Sequence, residues 1–268
     1  MASPGAGMIA DLKTLYRYRE LLYMFSWRDI RIRYKQSVMG LLWAVFMPAL
    51  VVGAGVLVTV AMAHYGGKPL TREPIIAILV KGVAWTLFMS GLRFGTNSLV
   101  SNASLVTRIA FPKEVFPLAA VLSSVFDFLI AAAIALTLLL AFEVRPTMHW
   151  LLAIPLLLSL VALTAGLAFI LSAANLYYRD VKYLVEAVLS VAIFFTPVLY
   201  SAQVVGEWKP LLMANPVAPL LEALDAVVIR GALPERGWTL YSIAASVFFL
   251  VAGYRYFKRV ETRFAENI

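Results

Sequence analysis

Residues 16–63 run YRYRELLYMFSWRDIRIRYKQSVMGLLWAVFMPALVVGAGVLVTVAMA, a basic, aromatic segment that leads without a break into an apolar one. In the first part, Tyr23, Trp27, Ile30 and Tyr34 fall at i, i+4, i+7 and i+11, one face of a helix. Arg28, Arg31 and Lys35 take one flank of that face and Arg33 the other. An apolar stripe edged by cations suits a helix lying in the membrane surface, its rings among the headgroups and its charges near anionic phosphates. No charged residue then occurs between Lys35 and Lys68, a longer run than the ~20 residues that cross a bilayer. A dense positive cluster against the first span places the N-terminus in the cytoplasm.

Working outward, apolar residues make up 62% of the chain and charged ones 14%, which excludes a water-soluble domain. The expectation is an all-α polytopic membrane protein, a single transmembrane domain over residues 1–268. It has a surface helix at 12–37 and six spans at 38–63, 75–99, 117–142, 150–174, 183–200 and 238–257. Lys81 and Arg93 interrupt the second span, and the fifth is short and runs into Pro197. Six spans return the C-terminus to the cytoplasm. Fifteen basic residues then lie inside and seven outside, as the positive-inside rule requires. The net charge of +8 therefore reflects topology and contact with membrane lipids. Nucleic acid is not an expected partner, because the basic residues are split among several short segments.

The short internal connection 101–116, SNASLVTRIAFPKEVF, mixes Arg108, Lys113 and Glu114 with Leu105, Val106, Ile109 and Phe111, and Pro112 ends any helical turn within it. An apolar patch on a cytoplasmic loop invites a protein partner; a tight turn whose apolar residues dip into the interface is the alternative. The second internal connection leads into the fifth span, where Tyr183, Glu186, Ser190, Phe194 and Pro197 share a face. A face with a carboxylate lines a polar passage or packs against another helix. The outer segment 201–237 is the longest connection. Within it Asn215 and Pro216 make a helix start, Leu220, Leu221, Leu224, Val227 and Val228 a helical stripe, and Gly231 a helix end. Such a helix re-enters the outer leaflet as a lid or gate. Arg93 and Asp127 lie well inside spans; antiparallel neighbours would let them pair as a structural ion pair, and unpaired, facing a cavity, they would touch substrate.

Much chemistry is missing. The chain has no cysteine, and its two histidines, His64 and His149, are far apart, so no metal site is expected. No G-x-x-x-x-G-K-[ST] nucleotide loop occurs, nor any H-E-x-x-H or G-x-S-x-G sequence, and no catalytic constellation is visible. The start lacks a charged n-region followed by an apolar h-region, so no cleaved signal peptide is expected. Spans, a surface helix, a partner loop and a gate describe a translocation subunit driven from elsewhere.

Six motifs in order also carry a resemblance. YRELLYMFSWRDIRIRYKQSVMGLLWAVFMP, TNSLVSNASLVTRIAFPKEVFPLAAVLSSVFDFLI, NLYYRDVKYLVE, FFTPVLYS, NPVAPLLEAL and YFKRVETRFAENI are similar to permease subunits of bacterial ABC exporters of polysaccharides and polyol phosphates. Those exporters handle O-antigen, capsule or teichoic acid. The resemblance implies a homodimer of six-span subunits in the bacterial cytoplasmic (inner) membrane, both termini inside, bound to two copies of a separate ATPase. ATP and Mg would be held by that ATPase, and this chain would hold no cofactor. The cargo would be a glycan on undecaprenyl diphosphate, O-antigen first. By matching position, Arg108, Phe111, Pro112, Lys113 and Glu114 become the ATPase-coupling segment and residues 201–237 the outer gate.

A passage for sugar suits aromatic walls, and Trp43, Phe46, Met47, Phe194 and Tyr200 are the candidates, with plain helix packing as the competing use. Tyr16, Tyr23, Trp27, Arg28, Arg31 and Arg33 would receive the lipid diphosphate at the inner surface, with headgroup anchoring as the competing use. Two rivals remain at this point. One is an ABC exporter of a small lipid or drug. The other is a membrane enzyme acting on polyprenyl-linked sugar, with Asp180 and Glu186 as its nearest acidic pair.

Overall fold

The computed structural model describes residues 16–35, 40, 42–65, 72–108 and 111–266. Positions 12–15 and 36–37 of the expected surface helix, the start of the first span at 38–39 and 41, and Ile109 and Ala110 of the inner loop lie outside the described residues. The described residues are helical, with short turns between. They form α1 (Arg19–Lys35), α2 (Leu42–Tyr65), α3 (Arg72–Ser101), α4 (Ala103–Arg108) and α5 (Val115–Ala141). A 3-10 turn over Met148–Leu152 leads into α6 (Ala153–Tyr177), followed by α7 (Val181–Ala192). A 3-10 segment, Ala202–Trp208, then precedes α8 (Lys209–Met213), α9 (Val217–Val228), α10 (Arg236–Val260) and a last 3-10 turn, Glu261–Glu266.

Among the described residues five helices are long and apolar enough to cross a membrane: α2, α3, α5, α6 with its leading turn, and α10. The expected spans at 38–63, 75–99, 117–142, 150–174 and 238–257 coincide with these to within a few residues. The expected span at 183–200 does not form one helix. α7 is 12 residues long, and the chain then turns from Ile193 to Tyr200. Proline explains the break, since Pro197 has no N–H to donate and disfavours helix at the residue before it. The Thr196 hydroxyl donates to the Ala192 carbonyl at 2.8 Å, and Lys81 of α3 takes the Tyr200 carbonyl at 2.7 Å.

α3 is the axis of the bundle, packed against α5 on one side and α6 on the other. It is buried along most of its length, and the chief core gathers Trp85, Leu87 and Leu92 of α3 with Leu160 and Leu163 of α6 and Leu220, Leu221 and Leu224 of α9. α10 lies along α6 at very close range. A Cβ at Gly253 would strike the Gly166 carbonyl, and one at Gly166 would strike the backbone of Phe249, so only glycine admits this approach. Several hydroxyls inside the bundle are satisfied within their own helix: Thr164, Ser124 and Ser246 each donate to the carbonyl four residues back.

The stripe expected at 220–228 is a helix face, but it is buried against α3 and α6. The Asn215 side chain accepts from the Val217 N–H at 3.1 Å at its start, and Gly231 takes a left-handed φ of 58° just past its end. α2 and α7 are the least covered elements, each turning an apolar face outward: Leu42, Trp43, Phe46, Met47 and Leu57 on α2, and Tyr183, Leu184, Val188 and Val191 on α7.

Candidate functional site

α1 is fastened by polar side chains on one edge and open on the other. Tyr23 and Trp27 stand exposed with their rings stacked at 6.4 Å, and the Arg31 guanidinium lies 5.4 Å from the Trp27 ring. Tyr16 is exposed beneath Arg19. Arg28 and Arg33 face the protein. Arg28 donates to Asn102 at 2.8 Å and to Asp29 at 2.8 Å. Arg33 is ion-paired with Asp127 of α5, donates to Ser123 at 3.0 Å and sits 3.9 Å from the Phe94 ring. The Tyr34 hydroxyl donates to the same Asp127 carboxylate. Burial, reinforced by Asp127, pushes the Tyr34 phenol well above its usual range, so it remains a proton donor.

The pairing of Arg93 with Asp127 is therefore corrected. Asp127 is taken by Arg33 and Tyr34, while Arg93 Nε lies 3.9 Å from Glu186 of α7. All of these groups except Glu186 meet around one cavity of about 280 Å³ between α1, α2, α3 and α5. Trp43 and Met47 of α2 form its apolar wall, and Ser90, Arg93, Arg33 and Asp127 its polar one. Phe46 lies against Trp43, edge to face at 5.5 Å, and is exposed on the outer side. Phe194 is exposed just beyond α7. Tyr200 is partly enclosed, its hydroxyl donating to the Phe194 carbonyl at 2.8 Å. The face expected to carry Tyr183, Glu186, Ser190 and Phe194 is open in the single chain, whereas Pro197 is buried.

The inner loop is held on two sides. Phe111 and Phe116 pack on Phe25 of α1, with ring centroids 5.9 and 5.1 Å apart. Opposite, Lys258 near the end of α10 donates to Glu114 at 2.8 Å and to Glu261 at 3.0 Å. The other oxygen of Glu261 accepts from the Lys113 N–H at 3.1 Å. Glu114 is fully buried and cannot meet a partner at the surface. Phe111, Pro112 and Lys113 are partly exposed, and Arg108 ends α4 with its side chain outside the described residues. Ser104 and Thr107 add an exposed polar face to α4.

Among the described residues no group of three or more His, Cys, Asp or Glu could hold a metal ion. No protein-family model matches the chain. It is 29% identical to the O-antigen export system permease protein RfbA of Myxococcus xanthus over 265 residues, 97% of this chain and 100% of that protein. Two proteins of the same name from Klebsiella pneumoniae are each 27% identical over 254 residues, 92% of this chain and 94% of theirs. The chain is a homologue of O-antigen export permeases. That bears out the resemblance carried by the six motifs.

Three fastenings of this permease homologue escaped the sequence. Lys81, 1% exposed, donates to Glu222 of α9 at 3.2 Å as well as to Tyr200. Its only sequence signal was a charge inside an apolar run, which calls for a partner without naming one. Lys258 and Glu261 were visible as an i,i+3 pair, but Glu114 lies 144 residues away from Lys258. Arg33 read as a flank charge of a surface helix, and nothing in that helix points to Asp127.

Proposed function

We propose that this chain is the membrane-spanning subunit of an ATP-driven exporter that carries a lipid-linked polysaccharide, of O-antigen type, outward across the bacterial inner membrane. The observation that carries this reading is the similarity to an O-antigen export system permease over 97% of the chain. The structure supports it in three ways.

Topology is the first. α1 and the end of α10 both grip the inner loop, through Phe25 and Lys258. The chain between them then crosses an even number of times, so five long helices need a sixth passage between α6 and α10. α7, about 18 Å long at 1.5 Å per residue, supplies it together with residues 193–200 as a broken span. Turned backbone is tolerated at membrane depth where protein covers it, and Thr196 and Val198 are fully buried. The α8–α9 hairpin re-enters as an outer gate, pinned by Lys81. Basic residues at the shared end of α1, the loop and α10 support a cytoplasmic position for both termini.

The second is the pair of uncovered faces. In a homodimer α2 and α7 enclose the passage, with Trp43, Phe46, Met47 and Phe194 as weak stacking surfaces for sugar rings. The lipid diphosphate is received at the inner surface by Tyr16, just before α1, and by the exposed Tyr23, Trp27 and Arg31 of α1, and Arg33 and Arg93 wait in the cavity behind them.

The third is the inner loop. Two copies of an ATPase subunit, carrying ATP and Mg, dock on α4 and residues 111–113, and Glu114 secures the segment from within. Purification of the tagged chain from its native membrane tests the reading. An ATPase in equal amount is expected, and it should be lost on Ser104→Arg with Thr107→Arg. A chain that arrives alone, with undiminished chemistry on a polyprenyl-linked sugar, would replace the exporter with a membrane enzyme.

A further inference from the structure

We infer that Lys258 is a positioning residue that locks the inner loop to α10, so that loop, α10 and α6 move as one body. The inference rests on the exporter reading for its consequence, and on the contacts around Lys258 for its geometry. Lys258 Nζ bridges Glu114 of the loop and Glu261 of the last turn at 2.8 and 3.0 Å. Glu261 passes the connection back to the loop by accepting from the Lys113 N–H at 3.1 Å. The Lys113 ammonium lies 5.9 Å from the ring of Phe264, which is fully buried against Phe257 and Tyr177. Four residues of the loop and C-terminal turn thus close a ring of contacts whose centre is one ammonium group.

As a stabilising device the ring is inefficient. Glu114 is fully buried, and its Oε1 has no hydrogen-bond partner. A buried ion pair returns little net stability once desolvation is counted, and a well-packed apolar pair would serve as well. What the charges add is direction: they fix the loop to one particular helix end. From that end the connection is stiff, because Gly253 of α10 meets Gly166 of α6 with no side chain between them. A displacement imposed on the loop from the cytoplasm is therefore delivered to α10 and α6 as well as to α5, which continues the loop directly.

The test separates positioning from simple charge compensation. Lys258→Met alone strands the Glu114 carboxylate, so misfolding would be uninformative; Glu114→Gln with Lys258→Met removes both charges and keeps the volume. In nanodiscs with the ATPase bound, the double variant is expected to assemble normally but to export about tenfold less glycan per ATP, a typical coupling between sites. Amide exchange at Lys113 should quicken, and Lys258→Arg alone, which keeps a cation against Glu114, should leave both properties as in wild type. Export per ATP equal to wild type, or unchanged exchange at Lys113, would overturn the inference. Should the wild-type chain bring no ATPase with it, the exporter reading fails, while Lys113 exchange in the chain alone still decides whether the lock exists.

Discussion

Arg33, near the end of α1, is ion-paired with Asp127, midway along α5, and both are about four-fifths enclosed by protein. The pair ties the end of α1 to the middle of α5, across the mouth of the cavity. Replacing Asp127 by Ala leaves a partly buried guanidinium and the Tyr34 hydroxyl without their acceptor. A double-mutant cycle of Arg33→Ala and Asp127→Ala, read by thermal unfolding in detergent, should give a coupling of about 1–3 kcal/mol. Asp127→Asn, which still accepts from Tyr34, should cost less than Asp127→Ala.

Gly166 and Gly253 make a second prediction. Gly253→Leu must force α10 away from α6 and should cost about 3 kcal/mol or more, since overpacking of this kind has no flexible neighbour to move. Gly237, in the first turn of α10, has open space within 4 Å of where a methyl would stand, and Gly237→Ala should be neutral or gain up to about 1 kcal/mol. Melting temperatures of the two variants check both statements.

The outer fastening offers a third. Lys81→Met leaves the Glu222 carboxylate without its cation and the Tyr200 carbonyl without the Lys81 donor in a buried site, a loss of about 3–5 kcal/mol. Cysteines placed between residues 200 and 222 should then react faster with a water-soluble maleimide. Glu222→Gln keeps an acceptor for Lys81 and for the Ala202 N–H, which now bonds Glu222 at 3.2 Å, and should change reactivity little.

Glu114 sets a pH dependence. Burial raises its carboxyl above the ordinary value of 4.5, and Lys258 opposes the rise only in part. The folded form therefore holds the proton more tightly than the unfolded chain. The resulting stability is fully present below the ordinary carboxylate range and is lost as pH rises through the raised value. Wild type should lose melting temperature relative to Glu114→Gln as pH is raised from 4 across that window. In Lys258→Met, where nothing opposes burial, the loss should be larger and acid should rescue it. A constant difference between wild type and Glu114→Gln across the same window would contradict the sign.

The long helices were legible because hydrophobic length is written locally: α3 was expected over 75–99 and runs Arg72–Ser101, and α5 was expected over 117–142 and runs Val115–Ala141. That Arg19–Lys35 is a helix was legible through its stripe of rings and cations; that it packs along α5 was not. The break after α7 was only half visible, since Pro197 announces a stop but the helix ends at Ala192, where the turn is also shaped by Thr196 and by Lys81, 119 residues from the carbonyl it binds. Partnerships across the bundle were illegible. Depth along a helix placed Arg93 and Asp127 at similar levels, but which face each presents depends on the rotation of α3 and α5 about their axes, and that gave Asp127 to Arg33. The Gly166–Gly253 contact was hidden for the same reason, as neither glycine carries a local sign of the helix it faces.

The central claim is that this chain moves a lipid-linked glycan outward, driven by ATP that a partner hydrolyses. The direct measurement is to reconstitute the purified chain with its ATPase in sealed vesicles, load polyprenyl-diphosphate-linked glycan into the nucleotide-facing leaflet, and follow its appearance on the far side with a glycan-binding probe. The account predicts appearance that requires ATP and is slowed when Trp43 and Phe194 are both changed to Ala. Glycan that stays on the loading side while ATP is hydrolysed at the full rate would contradict it.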